Sequence, residues 1–368
     1  MHKDLSRAVA AMTFAFGAPA AMAATQIGEH VAVSGFGTVG AMVTDNDGAQ
    51  YRSDIRQSRG ADESVDFGVD SRLGLQANVT FNDTFSAVGQ LLTSRRDSDR
   101  PVVEWLYAQA NLPAGFSLQL GRMVLPTFMV SDSRAVGYAS HWLRAPQEIY
   151  AQYPGSWFDG GQLQYKATLG PVNLTAQLAA GQSEVDASVL DTDVTLDFEN
   201  QLAVNLLLET GDWLFRLGRA QADVALSGIP LPELEDIFTG AGFQYDNGTL
   251  LVMGEYATRR QSGAAPFRSE GPFDSDSWYL SSGWRFGAWM PYVTYSRLSP
   301  KGPIFGGDAD DETTAIGVRW DAMNDVAVKA QYQWIDAGLR TSYVNASPAF
   351  AANRPTVEAL SVAVDFIF

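Results

Sequence analysis

The last eleven residues, Glu358 to Phe368, alternate without a break. In an extended chain Leu360, Val362, Val364, Phe366 and Phe368 share one face, while Ser361, Ala363 and Asp365 share the other. The same period of two recurs upstream. In 64–81, Val69, Leu73, Leu75, Val79 and Phe81 oppose Asp66, Asp70, Arg72, Gln76, Asn78 and Thr80. In 162–169, Leu163, Tyr165 and Leu169 oppose Gln162, Gln164, Lys166 and Thr168, and in 326–335, Val326, Val328, Tyr332 and Trp334 oppose Lys329, Gln331 and Gln333. One face suits hydrocarbon and the other suits water. The pattern predicts sixteen strands, over 30–43, 64–81, 85–94, 102–112, 116–122, 162–169, 172–181, 195–210, 213–222, 239–246, 250–259, 277–286, 289–297, 313–320, 326–335 and 356–368.

The connections alternate between short and long. Short ones carry turn formers: Asn82-Asp83, Pro113-Ala114-Gly115, Gly170-Pro171, Gly211-Asp212, Asn247-Gly248, Gly287-Ala288 and 321–325. Long ones cover 44–63, 123–161, 182–194, 223–238, 260–276, 298–312 and 336–355, with a shorter member at 95–101. No window offers the 18 or so apolar residues of a spanning helix, so a membrane could be crossed only by a closed antiparallel β-barrel. An even strand count with short turns at one end and long loops at the other fits such a barrel. Aromatics gather near strand ends, at Phe81, Phe85, Trp213, Phe243, Tyr245, Phe286, Trp289, Trp320, Phe366 and Phe368, where a membrane interface would place them. Gly35, Gly37, Gly40, Ala87, Gly89, Ala108 and Ala110 are small where lipid-facing residues should be large, which predicts a subunit contact over the first, third, fourth and fifth strands.

The amino-terminus supplies the compartment. Lys3 and Arg7, an apolar run from Ala8 to Phe16 and Ala21-Met22-Ala23 follow the order of a secretory signal, with cleavage expected after Ala23 and a single barrel domain over 24–368. Removing that leader leaves 345 residues, 23 basic and 41 acidic, a net charge of −18. So acidic a chain has no footprint for nucleic acid. With no Cys, disulfides, thiolate metal sites and Cys catalysis are excluded.

The longest connection, 123–161, is aromatic-rich: it follows Leu120-Gly121-Arg122 and holds Pro126, Ser131-Asp132-Ser133-Arg134, Gly137-Tyr138, His141-Trp142, Arg144-Ala145-Pro146, Glu148 and Tyr150. Loops of this length are normally functional. With its signal, strand count, Gly-Arg at the end of the fifth strand, long third loop and terminal Phe, the chain resembles the trimeric sixteen-stranded porins of Gram-negative outer membranes. The resemblance implies a water-filled channel for passive diffusion of small hydrophilic solutes, narrowed by the third loop folded into the lumen. It implies a homotrimer in contact with lipid and lipopolysaccharide, and a terminal Phe368 read by the barrel assembly machinery. Asp132, Arg134, Arg144 and Glu148 are then the charged candidates on the loop, and Arg72, Lys166, Arg216, Arg285, Arg319 and Lys329 those on the inner wall. Both signs on the loop and dispersed wall cations depart from the usual porin pattern, so ion preference stays open.

Other readings are weaker. A substrate-selective channel would use Tyr138, Trp142, Tyr150 and Trp157 as a binding track. An enzyme would have to pair His141 with Ser131, Ser133 or Ser140, without any G-x-S-x-G or H-E-x-x-H motif. A non-transporting adhesin barrel would need a plugged lumen. The acidic runs Asp45-Asn46-Asp47-Gly48, Asp191-Thr192-Asp193 and Asp308-Ala309-Asp310-Asp311-Glu312 read as solvated surface rather than Ca²⁺ sites, and no metal or cofactor is expected.

Overall fold

The computed structural model describes residues 24–153, 155, 157–189, 192–227, 233–263, 271, 273–301, 310–336, 338 and 342–368; the leader, Asp191, Asp308 and Ala309 lie outside them. Sixteen antiparallel strands close on themselves: β1 (Val31–Thr44), β2 (Arg72–Thr80), β3 (Phe85–Ser94), β4 (Pro101–Asn111), β5 (Phe116–Val124), β6 (Trp157–Leu169), β7 (Val172–Val189), β8 (Thr192–Thr210), β9 (Trp213–Ser227), β10 (Leu234–Asp246), β11 (Leu250–Ser262), β12 (Ser275–Trp284), β13 (Trp289–Pro300), β14 (Asp311–Met323), β15 (Val326–Asp336) and β16 (Thr356–Ile367). Each strand pairs with its chain neighbours, and β16 returns to β1 from Ala359 opposite Thr44 to Ile367 opposite Phe36. Phe368 completes the seam, its N–H donating to the Gly35 carbonyl at 2.9 Å and its carbonyl accepting from the Gly35 N–H at 2.7 Å. Below it, Thr25–Ile27 pairs with Val31–Val33, so the first strand keeps a partner past the end of the last.

The outer surface carries the apolar set, with Leu73, Leu75, Leu120, Leu163, Leu178, Val204, Leu217, Leu280, Ile316, Leu360 and Val362 all exposed. Aromatics ring both ends of this band. Near the short turns Trp213 lies 4.8 Å from Tyr245, and Trp289 stacks on Trp320 at 5.3 Å. Further along the strands Trp278 meets Tyr295 at 5.3 Å and Tyr332 meets Trp334 at 4.9 Å. Rings at two levels fit the two interfaces of a bilayer.

The long hairpins depart from the predicted loops. Most of 182–194 and part of 223–238 are strand, because β7, β8 and β9 continue beyond the apolar band. The alternation inverts as they do. On β7 the outward residues change from Leu174 and Leu178 to Gln182, Glu184 and Asp186, while the inward ones change from Gln177 to Val185 and Ala187. Outside hydrocarbon the outer face meets water, so the apolar residues turn to the interior. On β8 a bulge at Asn200, with φ of 50°, accompanies the change.

The predicted second strand is corrected at its start. Residues 64–71 are not strand, because the Asp66 carboxylate accepts the N–H groups of Gly68 and Val69 at 2.7 and 3.0 Å and pairs with Arg95. The predicted small-residue contact is also corrected in part. Gly40 faces the lumen beside Asp70, and Gly35 and Gly37 lie beneath the rings of Phe368 and Phe366. Ala108 is exposed on the outer face and Gly89 lies against the outward Leu106.

The first outer loop folds over the mouth. Gln50–Tyr51 pairs with Tyr343–Val344 of the last loop, over a core of Met42, Ala61, Val69, Ile335 and Phe350. The loop then reaches β7, where Ser188 donates its N–H to the Ile55 carbonyl at 3.0 Å and accepts from the Arg52 guanidinium at 2.6 Å.

Candidate functional site

The third loop, between Val124 and Trp157, enters the barrel and runs along its inner wall. An aromatic patch docks it: Phe128, Trp142, Ile149, Tyr150 and Tyr153 pack against Phe198, Phe238, Tyr279 and Tyr292. Phe128 lies 4.9 Å from Tyr150 and 5.2 Å from Phe238, and Trp142 lies 5.6 Å from Tyr279. A second contact buries Val136 with Phe36, Leu92 and Ile367.

Polar groups on the wall fix the loop's backbone. Arg216 donates to the Pro126 carbonyl at 2.8 Å. Lys329, fully buried, donates to the carbonyls of Gly137 and Trp142 at 2.7 and 2.8 Å and pairs with Asp365 at 2.9 Å. Arg319 donates to the carbonyls of Tyr138 and Ser140 at 2.6 and 2.7 Å and covers the Tyr138 ring. Glu255 accepts the Met129 N–H at 3.0 Å and the hydroxyls of Tyr150 and Tyr279. Half of the predicted wall cations therefore hold loop carbonyls. Of the others, Arg285 pairs with Asp246 at 2.6 Å, Arg72 lies beside Asp70 and Asp365, and Lys166 is exposed.

The four charged loop candidates separate into two kinds. Arg144 forms a bidentate pair with Asp70, at 3.0 and 2.5 Å, and donates to Gln333 and Ser361. Burial opposes its charge, and Asp70 overcomes that, holding the guanidinium above its ordinary range. Glu148, on the one-turn helix α1 (Gln147–Tyr150), accepts from Ser296 at 2.6 Å and from Thr313; burial raises its carboxyl against the pull of these two hydroxyls. Asp132 and Arg134 differ. They flank Ser133 on a short 3-10 turn, are partly exposed, and neither forms a hydrogen bond or ion pair among the described residues. Burial pushes the Asp132 carboxyl up to about 6, against the attraction of Arg216 and Lys166. Burial likewise lowers the Arg134 guanidinium to about 10, with Asp54 of the first loop opposing and Arg56 and Arg96 adding to the shift.

His141 is buried. Its Nε2 lies 2.9 Å from Ser281 Oγ, its ring is 4.2 Å from Trp142, and desolvation lowers its pKa well below the ordinary value, keeping it neutral. It does not meet Ser131, Ser133 or Ser140. The supposed aromatic track is likewise corrected. Trp142 is buried with its indole N–H on Ser281 and Thr294, Tyr150 is buried on Glu255, Tyr138 donates to the Asn324 carbonyl, and Trp157 lies under Arg122 at 3.6 Å. Sequence reasoning missed the wall side of this dock. Its signal was present on β12 and β13 as inward Ser275, Ser277, Ser281, Thr294 and Ser296, small hydroxyl residues that leave room for a loop and can bond it.

Among the described residues, no group of three or more His, Cys, Asp or Glu is arranged to hold a metal ion. The geometry is that of a membrane barrel narrowed by an internal loop, and the sequence profile of the Gram-negative porin family matches residues 8–342. The chain is a Gram-negative porin. As such it forms an outer-membrane channel for passive diffusion of small hydrophilic solutes. No curated protein matches this porin in sequence at a significant level. Its fold is similar to that of the outer-membrane channel DcaP of Acinetobacter baumannii, at 12% identity, TM-score 0.61, covering 94% of this chain and 99% of that one. Salmonella typhi OmpF, solved with daunomycin, matches at 13% identity and TM-score 0.61 over 92% and 97% of the two chains. An anion-selective porin from Comamonas acidovorans matches at 14% identity and TM-score 0.60 over 92% and 100%.

Proposed function

We propose that Asp132 and Arg134 are the charged residues of the porin's constriction, and that Arg144, Glu148, Arg216, Arg319 and Lys329 hold the loop that carries them. The observation behind this division is hydrogen bonding. The anchoring residues are tied to the loop or the wall, whereas Asp132 and Arg134 remain partly exposed with no hydrogen-bond or ion-pair partner among the described residues, the Arg134 guanidinium lying 5.8 Å from the Phe128 ring. Charges in a narrow section set which ions pass. The step is diffusion without chemistry; buried His141, hydrogen-bonded to a wall serine, supports that reading.

The mature chain begins at Ala24, after removal of the leader, and it assembles as a homotrimer. A structurally similar protein, OmpT of Vibrio cholerae, is described in a trimer form. Here an outward apolar groove of about 370 Å³ lies between Phe81, Phe85, Ala108, Ala110, Leu118 and Leu120, where a neighbouring copy can pack against β3 to β5. Planar-bilayer recording in a salt gradient tests the channel assignment. Steps in threes support three pores per unit, and Arg134→Glu must shift the reversal potential. An unchanged potential removes Arg134 from the constriction.

A further inference from the structure

The first outer loop is held very differently at its base and at its tip. The base, beside β1 and β16, is bound by backbone pairing and by a shared core. Thr44 and Asp45 donate their N–H groups to the carbonyls of Asp62 and Glu358 at 2.8 and 3.0 Å, and the Ser347 N–H donates to the Gly48 carbonyl at 2.6 Å. Gln50–Tyr51 pairs with Tyr343–Val344 over Met42, Ala61, Val69, Ile335 and Phe350. Tyr51 and Ala61 then exchange two backbone bonds of 2.7 Å, which close off the tip, 52–60, as a unit of its own. The tip is stiff. Arg52 donates to the carbonyls of Ile55 and Gln57 at 3.0 and 3.3 Å, the Ser53 N–H donates to Gln57 Oε1 at 2.9 Å, and the side chains of Ser53 and Gln57 both donate to the Val69 carbonyl at 2.9 Å.

The far side of the tip meets β7, six strands from β1 around a wall of sixteen, so the loop crosses the mouth as a strap. The clasp there centres on Ser188, whose N–H donates to the Ile55 carbonyl at 3.0 Å and whose carbonyl accepts from Arg52 at 2.6 Å. The Ile55 side chain rests on the aromatic patch that docks the third loop. Asp54 and Arg56, paired at 2.7 Å, lie near enough to Arg134 for both to act on its charge, so the strap reaches the residues assigned to the constriction. A stiff unit with a packed base and a small polar clasp can swing free while the barrel stays folded, because local opening needs far less free energy than global unfolding.

We infer that the first loop is a lid, hinged at β1 and β16 and clasped to β7 by Arg52 and Ile55, whose release widens the way to the constriction. This inference rests on the channel assignment and adds a moving part to it. The test uses the full mature protein in planar bilayers. The chain has no Cys, so Ile55→Cys with Ser188→Cys introduces a single pair, placed within bridging reach by the backbone bond between the two residues. The bridge is confirmed by mass and folding by heat-modifiable gel mobility. The oxidised channel should stay at a low-conductance level, and reduction should restore the open level. Replacing 53–59 with two glycines should raise the conductance and remove the low level. Arg52→Ala should raise the ratio of open to closed time about 10-fold, the value of a hydrogen bond from a charged donor. Equal conductance of the oxidised, reduced and parent channels, or a tip-deleted channel that keeps the parent's conductance and closures, would overturn the lid while leaving a conducting porin. A folded barrel silent in KCl even without its tip would overturn the channel assignment itself.

Discussion

Arg144 and Asp70 meet in a buried bidentate pair that joins the middle of the third loop to the end of the first. The same guanidinium reaches Gln333 on β15 and Ser361 on β16, and lies 5.1 Å from the Tyr51 ring. One side chain therefore ties together the third loop, the cap over the mouth and the barrel wall.

Removing one partner strands the other charge out of water, at a cost of about 3–5 kcal/mol. Asp70→Ala is expected to loosen both loops, increase open-channel current noise and lower the temperature at which the barrel loses its fast gel mobility. Arg144→Met, which removes the charge and keeps apolar volume, should lower it too. A variant pair as quiet and heat-stable as the parent would show that the latch is dispensable.

The two loop charges without a hydrogen-bond or ion-pair partner among the described residues should respond differently from the anchored ones. Asp132→Asn should shift selectivity toward anions and Arg134→Glu toward cations. Glu148→Gln should leave the reversal potential nearly unchanged, because its carboxylate is committed to Ser296 and Thr313. Equal shifts in all three would break the division drawn between constriction and anchor.

Asp132 titrates within reach of ordinary buffers. With its carboxyl pushed up to about 6 by burial, acidification from pH 8 to pH 5 neutralises it and removes a lumen negative charge. Anion preference should rise with a midpoint near pH 6, and Asp132→Asn should abolish the change. The linked stability has the opposite sign to a salt-bridged acid: the raised folded value means that this group's contribution falls as pH rises from the ordinary 3.8 through about 6.

At the seam, Gly35 and Gly37 make room for the rings of Phe368 and Phe366, an arrangement in which an aromatic covers a strand glycine. Gly35→Val should force the Phe368 ring aside and reduce the yield of folded barrel. Phe368→Ala should also reduce it. If the two act through this contact, the double variant will lose less than the sum of the singles; full additivity would separate them.

The wall was legible in the sequence because hydrocarbon outside and water inside impose the period of two on residues such as Leu163 and Gln164. β3 was bounded as Phe85–Ser94 from that pattern alone. It misled where the physics changed. Glu184 and Asp186 read as loop because the alternation inverts above the hydrocarbon. Asp66 read as strand because its side chain's bonds to Gly68 and Val69 leave no mark on a hydropathy pattern. The loop's charged residues were found by type, but separating Arg144 from Arg134 needed Asp70, whose distance along the chain gives no hint of contact.

The seam between Gly35 and Phe368 also sets a schedule. The first strand's free edge has its partner in residues 356–368, and closing a loop of that length is entropically costly and slow. Every other pairing within the barrel wall is with a neighbour in the chain. The sheet can grow strand by strand, yet its two edges stay open until β16 meets β1. A truncated chain is then an open sheet with two sticky edges rather than a smaller pore. Completion is all or none, and it rests on the pairing of Gly35 with Phe368.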